Sequence, residues 1–286
     1  MVILFANQED TLAQDVKSAL LDQGVECVLL SPPGPASDFN FAWTLPGPTA
    51  GCFIHEGIER DQAELTGILV RALPEAPRIS HTSDDEDYLR MEWSAAFTGW
   101  LRAVPALVVN RPRPGWSIRP PYLAAHTEIF AACGLTLADM IITDSQQEAE
   151  SFIASHPGQV LLVPGGPAQL VPYTAGTPLP EGIIRLTAQP EGILQRVHVV
   201  GEQVFIEGIG DEPISNNDVL AEGCRSLARI MGFPFLELTV VSTPEADVVI
   251  STAETADAVV EDTEHRRQVA RALASLLSAV REEVAV

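Results

Sequence analysis

The sequence is poor in lysine. Lysine occurs only at Lys17, and arginine supplies the rest of the 17 basic residues in a chain of 286. An enzyme that holds phosphate groups with lysine ammonium groups therefore has none available after position 17. A high-GC coding bias would give the same composition, so the shortage does not by itself decide the function.

Positive charge as a whole is scarce. Asp and Glu number 39 against 17 Lys and Arg, which gives a formal net charge of -22 and a pI near 4.5. Binding to nucleic acid needs clustered Lys and Arg that displace counterions from the phosphate backbone, so the composition excludes a nucleic-acid partner. The same negative field repels free ATP at long range.

Cysteine motifs and long apolar segments are also missing. The four cysteines are widely spaced and form no CxxC pair: Cys27, Cys52, Cys133 and Cys224. This spacing favours reduced thiols in a cytosol over a disulfide framework or a zinc site. Because no signal peptide and no apolar run of about 18 residues is visible, we expect a soluble cytoplasmic protein without a membrane partner.

The residues that are present predict a globular α/β protein. Apolar residues make up 46% of the chain, enough for a substantial core. Residues 2–5 are predicted to form a strand, 11–21 a helix and 25–30 a second strand, an order typical of an α/β lobe. We also predict a third strand over 52–54 and a helix over 62–73.

Two later segments have clear helical signals. Ser83 followed by Glu86 forms a capping box, which begins a helix running to about residue 103. We interpret the aromatic residues of this helix as core rather than as a ligand-binding stripe: Tyr88, Trp93, Phe97 and Trp100. Residues 261–284 have an apolar stripe at helical spacing, which predicts an amphipathic docking helix.

Residues 194–209 predict two strands joined by a tight turn that contains Gly201. Val197 and Val199 alternate with Arg196 and His198, so one sheet face is apolar and the other carries a guanidinium and an imidazole. A half-buried hairpin with a polar outer face would show the same pattern.

The hairpin segment Arg196-Val-His-Val-Val-Gly201 resembles the strand pair of ATP-grasp enzymes. It is most similar to the peptide ligases that mature ribosomally made peptides of the microviridin or graspetide type, in which the arginine faces the ATP phosphates. Four shorter matches precede it in the same order: Asn110-Arg111-Pro112, Arg119-Pro120, Ala132-Cys133-Gly134-Leu135 and Ile141-Ile142-Thr143-Asp144. The resemblance covers roughly residues 84 to 280.

The resemblance implies an ATP-grasp-like architecture of α/β lobes. An N-terminal α/β domain similar to a pre-ATP-grasp domain is expected over residues 1–105. The first ATP-grasp lobe is expected over 106–185 and the second over 186–286.

The chain departs from the family pattern where the chemistry is performed. The family's first phosphate-binding lysine falls at Arg119, and its second falls near Val163, which has no donor in its side chain. Of the Asp, Glu and Asn that bind two Mg²⁺ in the family, one carboxylate is retained as Glu237. Ser251 and Ala253 stand at the other two positions. Hard divalent cations need several oxygen ligands, so we expect a degenerate nucleotide and metal site.

The residual site predicted from these matches is small. Arg119 and Arg196 would form a weakened phosphate site, Arg196 and His198 are the residual catalytic candidates, and Glu237 is the residual metal candidate. We expect no metal and no cofactor, and the alternative is ATP with Mg²⁺.

Three functions remain open at this point. The first is a non-catalytic partner subunit or peptide-binding component in ribosomal peptide modification, and the second is a divergent but active ATP-dependent carboxylate-amine or carboxylate-hydroxyl ligase. The third is a small-molecule or carrier-binding module. For the first, the expected partners are a second copy of the chain or an intact ATP-grasp ligase, together with a precursor peptide.

Overall fold

The computed structural model describes nine segments, which group into two units. The described residues are 1–30, 39–43, 51–55, 57–71, 83–112, 127–163, 170–209, 218–253 and 263–279. Unit 1 comprises Met1–Pro114 and Val259–Val286, and unit 2 comprises Gly115–Ala258. Six helices and sixteen strands lie within the described segments, and the predicted α/β class is confirmed.

Unit 1 contains a parallel sheet, a small antiparallel sheet and three helices. Its elements are β1 (Val2–Phe5), α1 (Thr11–Asp22), β2 (Cys27–Leu30), β3 (Phe39–Trp43), β4 (Gly51–His55), β5 (Ile58–Asp61), β6 (Gly67–Val70), α2 (Ser83–Ala103), β7 (Leu107–Val109) and α6 (Thr263–Ser278). The parallel sheet has the order β2-β1-β6-β7, and β3-β4-β5 form the antiparallel sheet. The predicted opening of strand, helix and strand is confirmed.

The predicted helix over 62–73 is wrong. A single 3-10 turn spans Gln62–Glu64, and Gly67–Val70 forms β6, the strand between β1 and β7. All four residues of β6 are buried. A continuous apolar run is the pattern of a parallel strand covered on both faces, and over so short a segment it resembles a buried helix.

The aromatic residues of α2 are core residues with one exception. Phe97 is 1% exposed and Trp100 is fully buried, and the Trp100 indole N–H donates to Oε1 of Gln62 over 3.2 Å. Trp93 stacks on Phe97 with a centroid distance of 5.0 Å. Tyr88 is 59% exposed, because it lies five residues before Trp93 and so projects from a different side of the helix.

The C-terminal helix α6 packs against α1. Its apolar stripe is buried, and at the helix edge Nε of Arg266 lies 2.6 Å from Oδ2 of Asp15. The predicted docking helix is therefore present, and it lies in unit 1. An amphipathic pattern predicts a buried face but not the element that covers it.

Unit 2 contains two mainly antiparallel sheets and three helices. Its elements are α3 (Thr127–Ala132), β8 (Thr136–Leu137), β9 (Met140–Thr143), α4 (Gln146–Ser155), β10 (Val160–Leu162), β11 (Val171–Pro172), β12 (Ile184–Ala188), β13 (Ile193–Val200), β14 (Gln203–Gly208), α5 (Asp218–Met231), β15 (Phe235–Ser242) and β16 (Asp247–Ala253). The strand orders are β11-β10-β12-β9 and β14-β13-β15-β16-β8.

The five-stranded sheet of unit 2 has one apolar face and one partly polar face. On the apolar face, Val197 and Val199 pack in one core with Leu220 and Leu227 of α5. Gly223 of α5 permits a close approach, because a Cβ there would lie 2.7 Å from the carbonyl oxygen of Cys133. The predicted hairpin is therefore confirmed as β13 and β14, with its apolar residues against the helices.

We expect Gly67→Ala to destabilise unit 1 by about 1–3 kcal/mol, because overpacking a dense core forces side chains and backbone to shift. The added Cβ would lie 2.5 Å from the carbonyl oxygen of Leu277 in α6. Denaturant unfolding followed by tryptophan fluorescence, to which Trp93 and Trp100 of unit 1 contribute, would measure the decrease in the free energy of unfolding. Ser275→Ala, on the exposed side of α6, is the control and should change stability by less than about 0.5 kcal/mol. Equal stability of the two variants would contradict this account of the helix contact.

Candidate site on the polar sheet face

Strand pairing places the candidate residues in two adjacent rows. In the first row Arg196 pairs with Glu207 of β14 on one side and Thr239 of β15 on the other. In the second row His198 pairs with Phe205 and with Glu237. Residues directly opposite each other on paired strands share a face, so both rows lie on the face opposite the helices.

Two carboxylates lie beside Arg196. Its Nη1 is 3.7 Å from Oε2 of Glu207, and its Nε is 3.5 Å from Oε1 of Glu237. These distances are those of ion pairs rather than of short hydrogen bonds. The side chains are largely withdrawn from water, with exposed fractions of 21% for Arg196, 12% for Glu207 and 6% for Glu237. Coulomb interactions are stronger in such surroundings than in bulk water.

His198 is the buried member of the second row. Its side chain is fully buried, and Nε2 lies 3.4 Å from Oε2 of Glu237. Its ring also stacks on Phe235, with a centroid distance of 6.2 Å. The imidazole is therefore enclosed by the sheet face and contacts the Glu237 carboxylate rather than solvent.

Two other predicted site residues lie on or near this face. Ser251 is 8% exposed and pairs with Thr239, which continues the row of Arg196. The backbone of Ala253 pairs with that of Glu237, which continues the row of His198. The strand register therefore brings Arg196, His198, Glu237 and Ser251 together, as the resemblance implied.

Of the two positions that match the family's lysines, the structure describes only Val163, and it lies beside another sheet. Val163 follows β10 in the other sheet of unit 2, and its backbone N–H donates to the carbonyl oxygen of Arg185 over 3.0 Å. Its side chain provides no donor. Arg119 lies outside the described residues.

Sequence reasoning missed Glu207. The signal was available, because a two-residue turn at Gly201 and Glu202 pairs Val200 with Gln203 and therefore Arg196 with Glu207. Counting residues across the turn would have placed a carboxylate opposite the arginine. The alternation within each strand does not by itself give this pairing.

The cysteines do not provide a nucleophile at neutral pH. Burial raises the pKa of Cys224 to about 12, and the negative charge of Asp247 adds to this. Burial also raises the pKa of Cys27 and of Cys133, and a hydrogen bond to Glu59 raises that of Cys52. All four therefore remain thiols, and the thiolate is the reactive form.

The carboxylates of this acidic chain do not cluster with other metal-ligating side chains in the described segments. Within those segments, no three His, Cys, Asp or Glu side chains are grouped so as to hold a metal ion. In the same segments, no helix has the length and apolar character needed to cross a bilayer.

The comparisons with known proteins define a fold class. No family model matches the sequence, and no curated protein matches it. Among solved structures, however, the chain has the fold of ATP-grasp ligases of the peptide-maturase type. The predicted ATP-grasp-like fold is confirmed, while the lobe boundaries at 105 and 185 stay predictions.

Three of these structures show how far the likeness extends. Macrocyclase MdnB from Microcystis aeruginosa MRC has a TM-score of 0.73 at 14% identity, over 97% of this chain and 98% of that chain. Macrocyclase MdnC from the same organism, bound with precursor peptide MdnA, has a TM-score of 0.71 at 12% identity over 97% and 99%. ATP-grasp ligase PsnB, complexed with a phosphomimetic variant of minimal precursor, Mg and ADP, has a TM-score of 0.70 at 17% identity over 96% and 97%.

We expect Glu237→Ala to lower the free energy of unfolding of unit 2 by about 3 kcal/mol, because breaking a buried ion pair leaves charge uncompensated. The carboxylate lies within 3.5 Å of both Arg196 and His198. Hydrogen exchange of the β13 and β15 amides would report the change. Glu202→Ala is the control, since its side chain is 72% exposed. Unchanged protection in Glu237→Ala would show that the carboxylate does not stabilise this face.

Proposed function

We propose that this chain is a non-catalytic ATP-grasp-like protein that acts in the cytoplasm as a partner subunit or peptide-binding component in ribosomal peptide modification. The proposal rests on the fold, on the residues that stand at the family's chemical positions, and above all on the surroundings of Arg196.

The observation that carries the proposal is that Arg196 lies between two carboxylates of its own chain. The resemblance implies that this arginine faces the ATP phosphates. Here its Nη1 and Nε lie 3.7 and 3.5 Å from Glu207 and Glu237. A triphosphate arriving at this guanidinium would meet both carboxylates at close range, where little water screens the repulsion.

The remaining phosphate and metal positions support the same conclusion. Transfer of a phosphoryl group depends on cations that stabilise the charge on the phosphates. Val163 cannot supply such a cation, and Ser251 offers a neutral hydroxyl in place of a carboxylate. Of the family's metal positions, Glu237 is the one that retains a carboxylate in this sequence, and a hard divalent ion needs several oxygen ligands.

Peptide binding is the function that the fold and the charge favour. The MdnC structure contains precursor peptide MdnA, and the PsnB structure contains a minimal precursor variant. A net charge of -22 suits a partner or peptide that presents basic residues. Neither interaction needs the nucleotide chemistry that this chain has lost.

A second candidate is a divergent, active ATP-dependent ligase with Arg119 and Arg196 on the phosphates. It is favoured by one observation, the grouping of Arg196, His198 and Glu237 on a single sheet face. The two candidates differ in nucleotide affinity and can therefore be separated by measurement.

We expect the purified protein to bind ATP and ADP weakly in the presence of Mg²⁺. The dissociation constants should exceed about 10 μM, which corresponds to less than roughly 7 kcal/mol of binding free energy. Calorimetry at millimolar nucleotide would measure them, with a catalytically intact ATP-grasp ligase in the same buffer as the positive control. Tighter binding by this chain would favour the active ligase.

We expect the chain to form a complex with itself or with an intact ATP-grasp ligase, through an interface of at least about 1,200 Å². Complexes with a basic ligase surface or precursor peptide should weaken as salt is raised, because the charge of -22 is then screened. Size-exclusion chromatography with light scattering would test the chain alone and mixed with a ligase and a peptide encoded beside it. A chain that remains monomeric and changes neither binding nor turnover would favour the small-molecule module.

A further inference from the structure

We propose that Glu207 is the specificity-determining residue of the polar sheet face, and that its carboxylate occupies the place of a phosphate at Arg196. This inference rests on the proposed function, since it explains why a face with an arginine would reject a polyphosphate. The Glu207 side chain, in the hairpin of β13 and β14, would thus keep a polyphosphate from binding at Arg196.

The hairpin fixes the position of Glu207. Six consecutive residue pairs join β13 to β14, from Gln195 with Gly208 to Val200 with Gln203. Gly201 closes the turn with a φ of +57°, a conformation that suits glycine. Moving the Glu207 backbone away from Arg196 would require this ladder to open, so the carboxylate stays within reach of the guanidinium.

The partial burial of Arg196 and Glu207 strengthens the electrostatic interaction between them. The Glu207 side chain is 12% exposed and that of Arg196 is 21% exposed, so both charges are partly removed from water. Glu237, at 6% exposure, approaches the same guanidinium through Nε. Among the described residues, two carboxylates lie beside this one guanidinium, so its positive charge is already balanced by negative charge of the same chain.

The two carboxylates differ in what they contact. Glu237 also lies 3.4 Å from Nε2 of the buried His198, so it belongs to the interior of the sheet face. Glu207 approaches Nη1 of Arg196 from the neighbouring strand and is the more exposed of the two carboxylates. Removing the charge of Glu207 should therefore free the outer side of the guanidinium for an anion while the contacts of Glu237 persist.

The test compares the wild-type chain with Glu207→Gln, which retains the shape of the side chain and removes its charge. Inorganic tripolyphosphate is the first probe, because it reports on the anion site without the contribution of a base, and ATP with Mg²⁺ is the second. Calorimetry should show about a 10-fold or greater gain in affinity for both, since a charge-assisted contact is typically worth about that much.

Glu202→Gln is the matched control. It makes the same change in net charge within the same hairpin, but its side chain is 72% exposed and pairs with Arg229 at 2.8 Å. Its affinity for tripolyphosphate should stay within about twofold of the wild type, because exposed charges are screened. The double variant Arg196→Gln with Glu207→Gln should lose the gain, which identifies the guanidinium as the anion-binding group.

The possible outcomes separate this inference from the proposed function. Tight binding of ATP by the wild type would contradict the proposed function. Weak binding by the wild type and an equally weak, folded Glu207→Gln would overturn the role of Glu207 alone, and so would an equal gain in Glu202→Gln. If circular dichroism shows that Glu207→Gln is unfolded, Glu207→Asp replaces it. The shorter side chain withdraws the carboxylate from Arg196, so a smaller gain is expected and its absence would overturn the inference.

Discussion

The pairing of β13 with β14 and β15 is the constraint on which the site depends. It sets Arg196 beside Glu207 and Thr239, and it sets His198 beside Glu237. The same pairing sends Val197 and Val199 into the core beneath α5. A shift of one residue in this register would bury the charged groups among apolar side chains and expose the valines. Because a shift of register would disrupt the core, the core stabilises the positions of the charged groups on the polar face.

A fold can be retained after its chemistry has changed, since function lies in sites rather than in folds. This chain has the fold of ATP-grasp peptide ligases at 12% to 17% identity to the three structures compared. Apolar positions need only be apolar and of suitable size, which many sequences satisfy. Phosphate and metal positions need particular groups, and valine or serine cannot replace them. Under the proposed function, the apolar positions would therefore maintain the fold although the phosphate and metal positions have changed.

The sequence predicted local structure better than contacts between elements. The alternation of residues 194–209 located the hairpin and its two faces, because a strand has a fixed period of two. The helix expected over 62–73 was wrong, because the buried run in β6 has no periodicity. Glu207 was missed because its partner depends on the turn. The element that α6 packs against could not be predicted, because an apolar stripe does not identify its neighbour.

The packing of α6 on α1 also has a consequence for folding during synthesis. Arg266 and Asp15 are 251 positions apart in sequence, and the residues of unit 2 lie between them along the chain. During synthesis, the strands and helices of unit 2 emerge before α6 does. Unit 2 can therefore become compact while α1 still lacks the helix that covers it. Until α6 has been made, the surface of α1 that it covers is open to chaperones or to aggregation.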